Sequence, residues 1–311
     1  RLTVHRTIYK DQCEVVQSLV EQAKAKYYQD IITECNGDQG KLFNIVNNLL
    51  GRGSNAGLPN SESSKALADT MSEYFVQKIS NLRDDLAEME SSTKPLSCPP
   101  VKSLLKQPLK LLSCFAQVSK EEVEKIIKKA NKTSCKLDPI PTKILDSILP
   151  AVLPVITAIV NKCLSSGKFA KSFKSAIVRP LLKQAGLDVD VLKHYRPVSN
   201  LSFLSKIVES VIASQLMKHL EDNDLLEKMQ SAYRAKHSTE TAMIRILNDL
   251  LRGVDKKSGM LLILLDLSAA FDTVDHQILL QPLEESIGVN STALALLRSY
   301  LSDRSQSVTI D

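Results

Sequence analysis

Between Gly259 and Asp266 the chain reads Met-Leu-Leu-Ile-Leu-Leu, and this unbroken apolar run constrains the fold more than any other stretch. Its length is that of a strand, and the lack of alternation predicts burial on both faces. The run closes on a carboxylate. An Asp at the end of a buried strand is costly unless something satisfies it. Two readings fit Asp266: it binds Mg²⁺, a hard ion that takes carboxylate and backbone oxygens beside substrate phosphates, or it caps the next helix.

Helices dominate the remainder. Val16, Leu19, Val20, Ala23, Tyr27 and Ile31 recur at three- and four-residue steps, predicting an amphipathic helix over about 11–34. Gly51–Asn60 is a loop by composition, and Leu67, Met71, Phe75, Ile79, Leu82 and Leu86 predict a second helix over 64–89. Residues 91–108, with four prolines, read as a linker. Ser119 and Glu122 form a capping box ahead of Val123, Ile126 and Ile127. Two helices are expected at 142–149 and 151–165, separated at Pro150 and closed by Gly167. Segments 175–183 and 195–201 predict a basic hairpin across the polar turn 184–194, with further helices at 204–221 and 238–254.

Lys plus Arg number 40 against 35 for Asp plus Glu, so the chain is only mildly basic. The distribution is more informative. Lys162, Lys168, Lys171, Lys174, Arg179, Lys183, Lys193, Arg196 and Lys206 face only Asp188, Asp190 and Glu209 across the same stretch. Such a one-sign stretch suits a phosphate-bearing partner, and a solvated basic face is the plainer alternative. The six cysteines include no Cys-x-x-Cys pair and no His at ligand spacing, which excludes a standard zinc site. Scattered thiols without a signal peptide predict a reduced intracellular protein. The apolar stretch Leu149–Val160 is too short for a bilayer and holds Pro150 and Pro154, so a buried helix and no membrane partner are expected. Scarce aromatics and the absence of Trp disfavour a β-sandwich.

Three ordered motifs carry a resemblance. Leu264-Leu-Asp-Leu-Ser-Ala-Ala-Phe-Asp-Thr-Val-Asp-His276 resembles motif A of the LINE-type (non-LTR) retrotransposon reverse transcriptases. Lys193-His-Tyr-Arg-Pro-Val-Ser-Asn-Leu-Ser-Phe-Leu-Ser-Lys-Ile-Val-Glu209 is similar to the first finger motif of that family, and Gln230-Ser-Ala-Tyr-Arg-Ala-Lys-His-Ser-Thr-Glu-Thr-Ala242 to its second. Ser299-Tyr-Leu-Ser-Asp-Arg-Ser-Gln-Ser-Val308 matches the stretch after motif A, while Leu137–Pro141 and Asn161–Phe169 fit the segment before the fingers. The convincing similarity spans about 115–311, and a weaker one covers 1–90.

The resemblance implies an α+β fold with helix-rich fingers and a partial palm of a right-hand polymerase. A helical connector at 1–90 and the linker at 91–108 would precede the polymerase part at 109–311. The implied activity is RNA-templated DNA synthesis from nicked DNA, with RNA template, DNA primer and dNTPs as partners. Two Mg²⁺ ions would clamp the attacking hydroxyl and departing pyrophosphate. Asp266 would bind both, with the backbone carbonyl of Leu267 as a further ligand. Phe271 falls at the steric gate that excludes a 2′-hydroxyl, and Ala270 leaves room for the sugar and triphosphate. Arg196 would fork onto the triphosphate with Lys183 as second cation. Arg179 and Lys206 are weaker candidates, with a surface or ion-pair role as the alternative. Arg234 and Lys236 would face the template. Asp272 and Asp275 are expected to brace the loop, and His194, His237 and His276 to be structural. For Phe271 the alternative is core packing. Lys125, Lys128, Lys129 and Lys132 fit a nuclear signal or a solvated helix face; nucleus and cytoplasm are the expected locations.

The family's second metal-binding motif, Tyr/Phe-x-Asp-Asp, does not occur in these 311 residues. Both ends are expected to be cut points, since the chain starts at Arg1 and stops just after a strand-like Ser305–Ile310. Ala170 and Arg298 depart from the usual Pro and aromatic. A fragment inactive alone is the leading expectation. The alternatives are a non-catalytic nucleic-acid-binding module and a helical interaction protein.

Overall fold

The computed structural model describes residues 2–35, 39–49, 58–92, 110–131, 135–184, 186–267 and 269–310. Its compact contacts divide into two units: 1–60 with 181–196, and 61–180 with 197–311. The expected linker at 91–108 lies outside the described residues apart from Ser91 and Ser92, which extend a helix. Most of the expected loop at 51–60 also lies outside them.

In the first unit, α1 (Leu2–Glu34) and α2 (Gln39–Leu49) are helical, and the turn side of a hairpin carries the rest. Helix α1 begins earlier than its apolar stripe predicts, and Val16, Leu19, Val20 and Tyr27 are exposed. The hairpin end is fastened by Lys183 N–H donating to the His194 carbonyl at 2.9 Å. Tyr195 is buried, and its hydroxyl donates to the Val189 carbonyl at 3.1 Å.

The second unit is built on α3 (Ser64–Ser92), α4 (Lys120–Lys129), α5 (Thr142–Ser166), α6 (Phe203–Asp222), α7 (Thr239–Asp255), α8 (His276–Glu285) and α9 (Ser291–Leu301). Strands β1 (Ser175–Leu182), β2 (Tyr195–Leu201) and β3 (Ser305–Val308) form a sheet in the order β2-β1-β3. β1 and β3 run parallel, with Ser175 opposite Ser305 and Val178 opposite Val308. Mixed helices with a small sheet agree with the expected α+β class.

Helix α5 is the centre of the core. Leu145, Leu149, Leu153, Ile156, Val160 and Leu164 form one buried face, at the three- and four-residue steps of a helix, against α4, α6 and α9. The expected break at Pro150 does not occur: Pro150 and Pro154 both lie inside one continuous helix. Each proline removes a backbone donor and costs roughly 3 kcal/mol in a helix interior. Burial of an aliphatic side chain contributes about 1.5–3 kcal/mol each, so the six-residue face outweighs both breaks. The uninterrupted helix also corrects the expected length, because Ile144–Ser166 is long and apolar enough to cross a membrane by length and composition. That apolarity is used in the core along one face, while Ile144 and Val155 are exposed.

The caps agree with the sequence pattern. Ser119 accepts from Glu122 N–H while the Glu122 carboxylate accepts from Ser119 N–H, closing the capping box of α4. Gly167 ends α5 at φ +64°. Ser238 caps α7 through Thr241.

Beside the sheet, Glu209 on α6 accepts from the Ser205 hydroxyl at 3.2 Å, and Arg304 lies over the Tyr300 ring at 4.7 Å. Burial pushes the Glu209 carboxyl above its ordinary value of 4.5, against the opposing pull of Ser205, Arg304, Tyr300 and Lys206. The folded chain therefore holds a proton that the unfolded chain releases. Stability contributed by the neutral form falls as pH rises from near the ordinary value through the raised one. Glu209→Gln should flatten this decline, so thermal melts from acid to neutral pH should show the variant gaining on the wild type as pH rises. In the core, Leu164→Ala should cost about 2–5 kcal/mol in denaturant unfolding, since Leu164 is fully buried.

Candidate functional site

Residues 261–267 belong to no helix or strand, and their side chains are exposed. This overturns the expected strand buried on both faces. A buried strand requires partners for its backbone and layers over both faces, and none of the described elements supplies them to this run. At the upstream end the Met260 thioether packs on Gly253, where a Cβ would overlap it.

Asp266 is accordingly exposed, as is Leu267. Among the described residues Asp266 caps no helix. The chain turns at Ala269, which has φ +52°, and the Asp272 and Thr273 N–H groups both donate to the Ala269 carbonyl, at 2.9 and 3.1 Å. The next helix, α8, takes its cap from Asp275, whose carboxylate accepts from Gln277 and Ile278 N–H at 2.8 and 3.1 Å. Those backbone donors, Ile278 first, hold the Asp275 carboxyl below its ordinary value. Bracing of the loop by Asp275 thus agrees with the sequence expectation. Asp272 lies in a separate 460 Å³ pocket with Lys78 and Arg83 of α3.

Phe271 is 77% exposed, which excludes core packing, and its ring meets Tyr233 edge-on at 6.0 Å. Ala270 is exposed beside it. Tyr233 belongs to a loop with left-handed backbone at Tyr233 (φ +59°) and Lys236 (φ +62°). Arg234 in that loop donates to the Glu227 carbonyl at 3.2 Å, while Lys236 is exposed. The structure therefore brings the motif A turn and the second finger motif together through one aromatic pair. The Tyr233 contact had no signal in residue spacing, because its partner is 38 positions away.

Arg196 and Lys183 belong to the other unit. Arg196 is exposed at the start of β2, next to buried Tyr195. The Lys183 ammonium donates to the Lys193 carbonyl at 2.7 Å across the hairpin. Lys206 donates to the Asn200 side chain at 2.9 Å. Arg179 is exposed on β1. Among the histidines, His194 and His237 bond backbone carbonyls of Asp188 and Ala235.

For a metal, the fit is incomplete. Among the described residues no three His, Cys, Asp or Glu side chains gather into a group that could hold an ion. Asp266 alone does not make a two-ion site.

Known proteins are similar to part of this chain. Residues 182–310 match the family model of reverse transcriptase (RNA-dependent DNA polymerase), and the resemblance carried by the motifs, to non-LTR retrotransposon enzymes, holds. Among particular relatives, the RNA-directed DNA polymerase from mobile element jockey of Drosophila melanogaster is 27% identical over 215 residues, 69% of this chain and 23% of the relative. The jockey polymerase of Drosophila funebris is 27% identical over 208 residues, covering 67% and 22%. The probable RNA-directed DNA polymerase from transposon BS of Drosophila melanogaster is 27% identical over 201 residues, covering 64% and 22%. The chain spans under a quarter of the length of these curated relatives. Reverse transcriptases generally use divalent metal ions.

Exposure of the 261–267 run makes a direct expectation. Leu265, at 90% exposure, should tolerate Ala within about 0.5 kcal/mol in denaturant unfolding. A loss of the size expected for Leu164→Ala would show that the run is buried.

Proposed function

We propose that this chain is part of the RNA-directed DNA polymerase of a non-LTR retrotransposon, with residues 1–90 as helical connector, 91–108 as linker and 109–311 as fingers and N-terminal palm. The observation that carries the reading is the order of the three motifs within the span matched by the reverse transcriptase family. In this reading the 269–275 turn presents the nucleotide-facing residues. Phe271 and Ala270 set the space at the sugar. Phe271 is supported by its exposed ring braced against Tyr233. Arg196 and Lys183 bind the triphosphate: a guanidinium matches phosphate oxygens with two parallel donors, and the Lys183 ammonium retains donors beyond its bond to Lys193. Arg234 and Lys236 contact the RNA template.

Bound Mg²⁺ would supply charge neutralisation at the phosphoryl group. Asp266 would be its carboxylate ligand, with the Leu267 carbonyl beside it. Template RNA, primer DNA and dNTPs are the partners, and nucleus and cytoplasm the locations.

The test uses the chain with a primed RNA template, dNTPs and Mg²⁺. No extension is expected, while template–primer binding should be salt-sensitive and weaken several-fold in the Arg196→Gln, Lys183→Gln double variant. Extension that survives Asp266→Ala would overturn the role of Asp266, and salt-insensitive binding would overturn the polymerase reading.

A further inference from the structure

Helix α3 lies upstream of all three motifs, yet it reaches the motif A turn. Leu67, Met71 and Phe75 are buried at four-residue steps, and the same ridge continues through half-buried Ile79 to exposed Arg83. The helix packs on β3. Beside that contact, Phe75, Val76 and Ile79 form the apolar wall of the 460 Å³ cleft that also holds Asp272.

The charges across this cleft are opposed. Lys78 and Arg83 line it from α3, five residues or about 7.5 Å apart along the helix axis, and Asp272 is the carboxylate among the lining residues. Asp84 and Asp85 follow Arg83 in the chain but do not line the cleft. Lys78 is half-buried, while Arg83 and Asp272 are exposed. Among the described residues none of the three side chains makes an ion pair or a hydrogen bond, so their attraction acts across solvent. Its reach extends to a second carboxylate of the turn. Asp275 sits below its ordinary value because Ile278 and Gln277 N–H donate to it, and Arg83 adds a weaker pull.

Solvent-separated pairs attract modestly, which suits the positioning of a loop better than support of a fold. The turn is a structure that such a force can bias. Asp272 and Thr273 N–H share one acceptor, the Ala269 carbonyl, and Ala269 holds a left-handed φ of +52°, unfavourable for a residue with a Cβ. Apart from these bonds and the Asp275 cap, the Phe271–Tyr233 ring contact is its other tether. We propose that α3 is a positioning element of the motif A turn, in which Lys78 and Arg83 draw Asp272 and Asp275 toward the helix and so set the direction in which Ala270 and Phe271 face. The proposal rests on the polymerase reading for what the turn faces, and on the cleft for how the turn is held.

Hydrogen exchange of the Asp272 and Thr273 amides, followed by NMR on the full chain without nucleotide, template or divalent ion, reads the order of the turn. Lys78→Gln with Arg83→Gln should speed that exchange about two- to five-fold, the range for two solvent-separated pairs. Lys65→Gln removes an exposed cation from the first turn of α3 and should leave the rate unchanged. Arg83→Lys, with Lys78 native, should keep the wild-type rate. Raising NaCl from about 0.1 to 1 M shortens the screening length from roughly 10 to 3 Å, which should bring the wild type to the rate of the double variant and leave that variant unmoved. If the half-buried Lys78 cannot be replaced without loss of folding, Arg83→Gln alone decides. An unchanged rate in the double variant, an equal rise in Lys65→Gln, or a rise that salt does not reproduce in the wild type would each overturn the proposal. So would faster exchange spread equally over the β3 amides, the mark of α3 leaving the sheet. Neither template nor nucleotide takes part, so failure here leaves the polymerase reading standing, and failure of salt-sensitive template–primer binding leaves the exchange result standing.

Discussion

Burial of one face of α5 is the interaction on which the second unit depends. Leu145, Leu149, Leu153, Ile156, Val160 and Leu164 give α4, α6 and α9 a common surface, and the helix holds its course through two prolines to do so. The C-terminal end of α5 then directs the chain into the sheet. Gly167 turns it with a left-handed backbone and no Cβ against α9, and β1 begins eight residues later, at Ser175. The core helix thus fixes the entry to the sheet.

Legibility in the sequence was governed by neighbours along the chain. The Ser119–Glu122 box, the Gly167 cap, the Tyr195–Leu201 strand and the Asp275 cap each depend on groups within a few residues, so local rules place them well. Pro150 misled because a local penalty was set against packing spread over a whole helix face. The basic stretch was visible, but Lys174 within it looked like one more solvated lysine. Only the fold shows that it is buried at the wall of a cleft whose other side, α9, lies more than a hundred residues downstream.

The candidate site divides along the same line. The turn at Ala269–Asp275 is a local structure, and its Asp275 cap was anticipated from residue type. The Tyr233–Phe271 pair is not local, and it is what joins the second finger motif to motif A. Family resemblance supplied roles for Asp266, Arg196 and Lys183 that residue chemistry left open between function and surface charge. Lys206 donates to the Asn200 side chain.

The 261–267 run carries the remaining physical lesson. Period and length identify a segment able to be a buried strand, but they do not supply its partners, and the segment stands exposed with Leu265 nearly free of contact. Helix α7 repeats the pattern: Ile244, Leu247, Leu251 and Val254 make a helical stripe that is exposed as well. Apolar surface left in water forgoes about 25 cal/mol per Å². Asp266 ends this exposed run, while the turn beyond it, fastened by Ala269 and Asp275, is organised by its own hydrogen bonds.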